Sequence, residues 1–224
     1  MKKPLIINKP LNITSMDVIR QLRRITGIRK IGHAGTLDPL ATGVLIICYG
    51  KGTKQINSFM DMTKEYVAEI NLSAFSETDD AQGPIDLIEV NHTPTGQEAE
   101  TVIQKFIGNI EQMPPRYSAL KVNGQRAHKL AREGKPVVLQ PRQVQVDHID
   151  ILAYEWPLLT IKVICGKGTY IRSLARDIGT ALQVGGYLTK LERTAIGEHT
   201  LKNAIELDDS EAIKDALDLD LSSQ

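Results

Sequence analysis

Apolar residues along the chain follow two periods that alternate without a steady order. Leu5, Ile6 and Ile7 form a short strand-like run, and residues 44–48 (Val-Leu-Ile-Ile-Cys) read as a buried strand. Between them Val18, Ile19, Leu22 and Ile25 recur at helical spacing, Thr14 and Asp17 resemble a capping box, and Gly27 marks the stop. Residues 66–72 alternate in the manner of a half-buried strand, with Tyr66, Ala68, Ile70 and Leu72 on one face. Thr95 with Glu98 caps a second helix whose inward positions are Ala99, Val102, Ile103 and Phe106. Residues 125–133 read as a basic helix ended by Gly134 and Pro136, and residues 144–154 and 158–165 as two long strands separated near Trp156-Pro157. Residues 170–182 form a further amphipathic helix, and a short acidic helix falls near residues 210–217. This mixture predicts an α+β fold on a largely antiparallel, mixed sheet flanked by helices, in a single domain.

At 224 residues with 42% hydrophobic content, the chain is long enough to bury its own core. Cys48 and Cys165 each sit inside an apolar run with no ligand-type spacing, as small core residues in a reducing compartment do. Pro4, Asn8, Lys9 and Pro10 interrupt any N-terminal apolar segment, and no run approaches about 18 apolar residues. The expectation is a cytoplasmic protein, not a membrane one.

The formal charge is zero, from 27 basic and 27 acidic residues, but it is unevenly distributed. Residues 1–60 hold ten Lys or Arg against two acids, residues 61–111 two against eleven, residues 116–143 seven against one, and residues 205–224 one against seven. Such blocks fold either into solvated faces or into a cationic surface of the kind that binds a phosphate backbone.

The densest chemistry lies in residues 32–43, Gly-His-Ala-Gly-Thr-Leu-Asp-Pro-Leu-Ala-Thr-Gly. Asp38 is the sole acid there; Pro39 biases it toward an extended conformation, and the strand that follows anchors the loop. Asp38 is either a held catalytic carboxylate or the start of a turn, since Asp-Pro pairs serve both uses. The five histidines show no partner at i+4 and no Cys/His cluster, so no metal is implied. No phosphate-cradling nucleotide loop is present, so no nucleotide cofactor is implied either. Ser118 and Ser173 lack a nucleophile elbow or a base partner.

Taken together, GHAGTLDPLATGVL at 32–45, KEYVAEI at 64–70, PPRYSALKVNGQRAHKLAREGK at 114–135, GKGTYIRSLARDIG at 166–179 and LTKLERTAIG at 188–197 resemble the TruB-type tRNA pseudouridine synthases, in order and in spacing. The resemblance implies the pseudouridine synthase fold, a catalytic domain over residues 1–204, and isomerisation of a uridine in the T loop of tRNA (position 55). It implies no cofactor and no metal, and a partner in the T-arm stem-loop of tRNA, met by a monomer. Residue by residue, it places the family's nucleophilic aspartate on Asp38 and its paired arginine on Arg172. Tyr66 falls on the tyrosine that stacks on the flipped base, Tyr170 on a second pocket tyrosine, Leu191 on an aliphatic wall, and His33 on the histidine that occupies space vacated in the RNA loop. Without the resemblance Arg172 reads equally as a surface helix residue, and Tyr66, Tyr170 and Leu191 as core. Lys9, Arg20, Arg23, Arg24, Lys54, Arg126, Lys129 and Arg132 are phosphate-contact candidates by charge. Two substrate readings stay open beside the T loop: another RNA site, or an RNA chaperone on the same fold.

Three departures stand out. Residues 205–224 form a short acidic segment where bacterial members usually continue into an RNA-binding PUA domain. His128 stands where the family has tyrosine, and Leu72-Ser73-Ala74 where it has a leucine-glycine pair.

Overall fold

A computed structural model describes residues 3–118, 120–122 and 124–217, with the backbone alone at Lys121, Val122, Arg126, His128 and Arg132. Along the chain come β1 (Leu5–Lys9), α1 (Ser15–Thr26), β2 (Ile31–His33), β3 (Ala41–Tyr49), a 3-10 turn (Gly50–Gln55), α2 (Ile56–Asp61), β4 (Lys64–Asn71), β5 (Ala74–Ser76) and β6 (Ile85–Leu87). Then follow α3 (Gly96–Ile103), β7 (Gly108–Gln112), β8 (Lys121–Val122), β9 (Gln125–Arg126), α4 (Ala127–Arg132), β10 (Arg142–Glu155) and β11 (Leu158–Cys165). The chain closes with α5 (Ile171–Ala181), β12 (Tyr187–Ile196), β13 (His199–Thr200), β14 (Ile205–Glu206) and α6 (Ser210–Asp215). It divides into two compact units: residues 1–67 with 191–224, and residues 68–190. β4 and β12 pass from one unit to the other.

In the first unit β3 lies at the centre. β1 pairs with it antiparallel (Ile7 opposite Leu45), β12 parallel (Leu191 opposite Ala41) and β2 antiparallel, while β14 adds parallel to β1. The run at 44–48 is uninterrupted because both of its faces are covered. Leu45 and Ile47 pack with Leu5, Ile7 and the Val18, Ile19 and Leu22 stripe of α1, while Val44, Ile46 and Cys48 pack with Ile6, Phe59 and Ile196. α1 begins at the capping box read from Thr14 and Asp17 and ends at Gly27 in the left-handed region. The acidic C-terminal segment is built into this core through Leu207, Ile213 and Leu217. Residues 218–224 lie outside the described residues.

In the second unit β10 pairs antiparallel with β7 and with β11, in the strand order β4, β11, β10, β7. α3 starts at its capping box on Thr95 and Glu98, and buries Ala99, Val102 and Ile103. α5 buries Ile171, Leu174, Ala175 and Ile178. The Gly185-Gly186 pair is required by contact: a Cβ on Gly185 would lie 2.2 Å from the Ala74 carbonyl oxygen. The sheet is mixed and mainly antiparallel, as the alternation predicts. Two elements differ from the pattern. The basic stretch at 125–133 starts as a strand, β9 paired with β8, before turning helical. β12 carries too many charges for its hydrophobic pattern to announce a strand. Cys48 and Cys165 are buried and joined in no disulfide, with burial pushing the Cys48 thiol up to about 11.

Candidate active site

Asp38 stands in the turn that feeds β3, and the backbone on each side of it is pinned. The buried Ser15 hydroxyl accepts from the Leu37 amide at 2.9 Å and lies 3.1 Å from the Leu37 carbonyl. On the other side the Asn12 amide donates to the Pro39 carbonyl at 2.8 Å, and the Ala41 amide donates to the Asp38 carbonyl at 3.0 Å. A loop anchored by the first turn of α1, by the β1–α1 connection and by β3 fixes the half-buried Asp38 side chain.

Two buried cations support this loop. Arg193, 1% exposed, reaches from β12 to both ends of it: Nε donates to the Val44 carbonyl at 2.8 Å and Nη2 to the Gly35 carbonyl at 3.2 Å. Gly43 has φ +101°, and a Cβ there would lie 2.3 Å from the Arg193 carbonyl oxygen, so no other residue fits. Lys9 is fully buried, its ammonium donating to the Pro10 and Ile13 carbonyls at 2.8 and 2.7 Å. Burial lowers its pKa to about 8; Arg193 adds to that, and the negative charges of Asp38 and Asp17 oppose it.

The first unit also holds three of the other expected residues. Leu191 is 9% exposed and sits in register beside Ala41, three residues past Asp38. Tyr66 is half-buried on β4. His33 ends β2 half-buried; burial lowers its pKa, the Gly35 backbone opposes this, and Nδ1 has no hydrogen-bond partner of good geometry.

Tyr170 and Arg172 belong to the second unit. Tyr170 is the residue preceding α5, and its backbone is held by the buried Gln112 side chain, whose Oε1 accepts from the Tyr170 amide at 2.8 Å and whose Nε2 donates to the Tyr170 carbonyl at 3.1 Å. Arg172 is no surface residue. Its guanidinium donates to the Thr78 and Tyr117 carbonyls at 3.0 Å each, with Nη1 3.6 Å from the Asp80 carboxylate. Asp80 in turn accepts from the Thr78 hydroxyl at 2.6 Å and the Gln82 amide at 3.0 Å. One helical turn on, Arg176 pairs with Asp79 at 2.9 Å and donates to the Met113 carbonyl. Burial raises the Asp79 pKa to about 6; Arg176 and Arg172 oppose the shift, while Asp177 and Asp80 add to it.

Sequence reasoning missed Arg193, Gln112, Asp79 and Asp80. Residues 76–84, an acidic and turn-rich stretch, hold the dock for Arg172. The converse holds for Lys9, which charge alone placed among the phosphate contacts: its ammonium is internal and unavailable to RNA. Arg20, Arg23, Arg24, Lys54 and Lys129 are exposed, Arg20 pairing with Asp17. The side chains of Arg126 and Arg132 lie outside the described residues. Among the described residues no group of three or more His, Cys, Asp or Glu is placed to hold a metal ion, and no helix is long and apolar enough to cross a membrane.

Comparison with known proteins converges on one family. Residues 23–171 match the TruB family pseudouridylate synthase N-terminal domain. A tRNA pseudouridine synthase B of Parabacteroides distasonis is 46% identical over 203 residues, covering 88% of this chain and 86% of its own. The solved Cbf5-Nop10-Gar1 complex superposes with a TM-score of 0.72 at 29% identity over 94% of this chain and 54% of that one. An H/ACA RNP bound to a substrate RNA containing 2′-deoxyuridine gives 0.70 at 25% identity over 97% and 56%. This chain thus spans about half the length of those two solved chains. With the pseudouridine synthase fold in place and the family's domain matched over most of its length, the chain belongs to the TruB family of pseudouridylate synthases.

Proposed function

We propose that this protein converts a uridine of tRNA to pseudouridine, acting on the T loop (position 55) with Asp38 as the essential group and with neither metal nor cofactor. The observation that carries the reading is the loop itself: a carboxylate whose flanking residues are tied to α1 and β3 is held ready to attack. The reaction cuts the N-glycosidic bond, turns the uracil and rejoins it through C5 to C1′, work suited to an ionised carboxylate. Arg172 is assigned a role by the family resemblance, its guanidinium held in place by the Thr78 and Tyr117 carbonyls.

The target base leaves its stack at a cost of a few kcal/mol, which Tyr66 and Leu191 offset. His33 positions the extruded loop. The relatives are named for action on tRNA, and a solved relative holds a substrate RNA, which supports RNA as partner. The reading sets the enzyme in the cytoplasm, acting as a monomer on the T-arm stem-loop, with the chemistry in residues 1–204.

The test is Asp38→Asn, with tritium release from C5-labelled uridine in tRNA as the readout. Turnover is abolished while tRNA affinity stays within about tenfold, because phosphate contacts dominate affinity. An active Asp38→Asn enzyme refutes the assignment. A wild-type protein that binds tRNA without releasing tritium is a chaperone instead.

A further inference from the structure

The end of β3 away from Asp38 carries a concentrated positive charge that the proposed chemistry does not use. The Gly50 amide donates to the Lys30 carbonyl at 2.8 Å, and Ile31 pairs with Tyr49. These contacts bring the Arg29-Lys30 turn against the 3-10 turn that carries Lys51 and Lys54. All four side chains are exposed, and none forms an ion pair with a described carboxylate. Arg23 and Arg24 project from the last turn of α1 just before, and Lys3 lines a shallow recess with Gly52 and Gln55. Between residues 18 and 60 the sole acid is Asp38. Ala41 and Tyr49 bound β3, so at about 3.3 Å per residue the cluster lies about 26 Å along the strand from the catalytic loop.

We propose that this cluster is a second phosphate-backbone grip, which holds tRNA outside the loop that presents the target uridine. It rests on the reading of the protein as a tRNA-modifying enzyme. Two observations favour a nucleic acid over an acidic protein. No exposed large hydrophobic residue falls within the segments that carry the cluster, residues 23–30 and 50–55, so these segments supply no apolar centre of a protein interface. Solvated, unpaired cations on adjoining turns supply counterion release, which is the whole of what backbone binding requires. Arg23 and Arg24 also complement the helix C-terminus, so Arg29, Lys30, Lys51 and Lys54 are the discriminating set.

The quadruple variant Arg29→Gln, Lys30→Gln, Lys51→Gln, Lys54→Gln is compared with wild type for whole tRNA and for a minimal stem-loop carrying the target uridine, across a salt series. For whole tRNA, affinity falls about tenfold or more, and the slope of log K against log salt shrinks by about 3, at 0.7–0.9 per contact. Stem-loop affinity changes less than about twofold, and the single-turnover rate at saturating RNA is unchanged. An unchanged slope for whole tRNA overturns the proposal, as does an equal loss on the stem-loop. So does an unchanged slope with binding to phosphatidylserine vesicles lost in the variant, which would make the surface a membrane contact. The slope is a binding readout, so it judges the grip even if wild type forms no pseudouridine, a failure that would strike the proposed function instead.

Discussion

Arg193 in the first unit and Arg172 in the second are both buried, but their charges are met differently. Arg193, with its neighbour Lys9, is solvated by backbone carbonyls: Val44 and Gly35 for the guanidinium, Pro10 and Ile13 for the ammonium. Arg172 and Arg176 reach carbonyls too, but each also faces a buried carboxylate, Asp80 or Asp79. Carbonyl dipoles fix the position of a chain without adding a titrating group, which suits a loop whose own carboxylate is proposed to do chemistry. Carboxylates bring an opposite full charge, so the second arrangement is costlier to break and responds to acid.

The sharpest contrast comes from removing the cations one at a time. Arg172→Met leaves Asp80 charged in the interior and lowers unfolding free energy by about 3–5 kcal/mol, and adding Asp80→Asn restores part of it. Arg193→Met deprives two carbonyls of donors, at a cost of about 1–3 kcal/mol. Denaturant midpoints measure both. Equal losses would mean that Arg193 is solvated no differently from Arg172.

A second contrast is in pH, and the two units bend stability in opposite directions. Asp79 has a folded pKa of about 6, above its unfolded value of 3.8, so the folded state binds more protons between them. Its contribution is full below pH 4 and is lost as pH rises through 6, up to about 3 kcal/mol. Lys9, lowered from 10.5 to about 8, binds fewer protons when folded, so stability rises between pH 8 and 10.5. Urea melts across pH should show both limbs in wild type. Asp79→Asn should remove the acid limb and Lys9→Met the alkaline one; a profile unchanged in either variant breaks the corresponding assignment.

The same contrast explains what was legible in the sequence. Helix starts at Thr14 and Thr95, the buried strand at 44–48 and the loop around Asp38 are set by residues within one or two turns of each other, so a local pattern reveals them. Arg193 takes its meaning from Val44 and Gly35, 149 and 158 residues away, and Arg172 from Thr78, 94 residues away. Nothing local distinguishes such an arginine from a solvated one. Lys9 fails in the same way: at the end of β1 it is buried, and its head is satisfied by carbonyls that any sequence would carry. β12 escapes because Arg193, the residue that makes it look exposed, is its largest fully buried side chain.

The smallest effect separates holding a loop from holding a helix. Thr14 and Thr95 make equivalent capping boxes, one in each unit, with Asp17 and Glu98 as the reciprocal acids. Truncating either to alanine should cost about 1 kcal/mol in thermal or denaturant unfolding. The consequences for rate should diverge. Ser15, the first residue of α1, carries the hydroxyl that brackets the Leu37 backbone, so fraying at Thr14 loosens the residue before Asp38. α3 belongs to the second unit, where its capping box holds a helix that buries Ala99, Val102 and Ile103. Thr14→Ala should therefore lower the single-turnover rate several-fold, with tRNA affinity held, while Thr95→Ala leaves it unchanged at equal loss of stability. Equal rates in the two variants would mean that Asn12, Ala41 and Arg193 suffice to hold the catalytic turn, and that the Ser15 clasp is incidental to it.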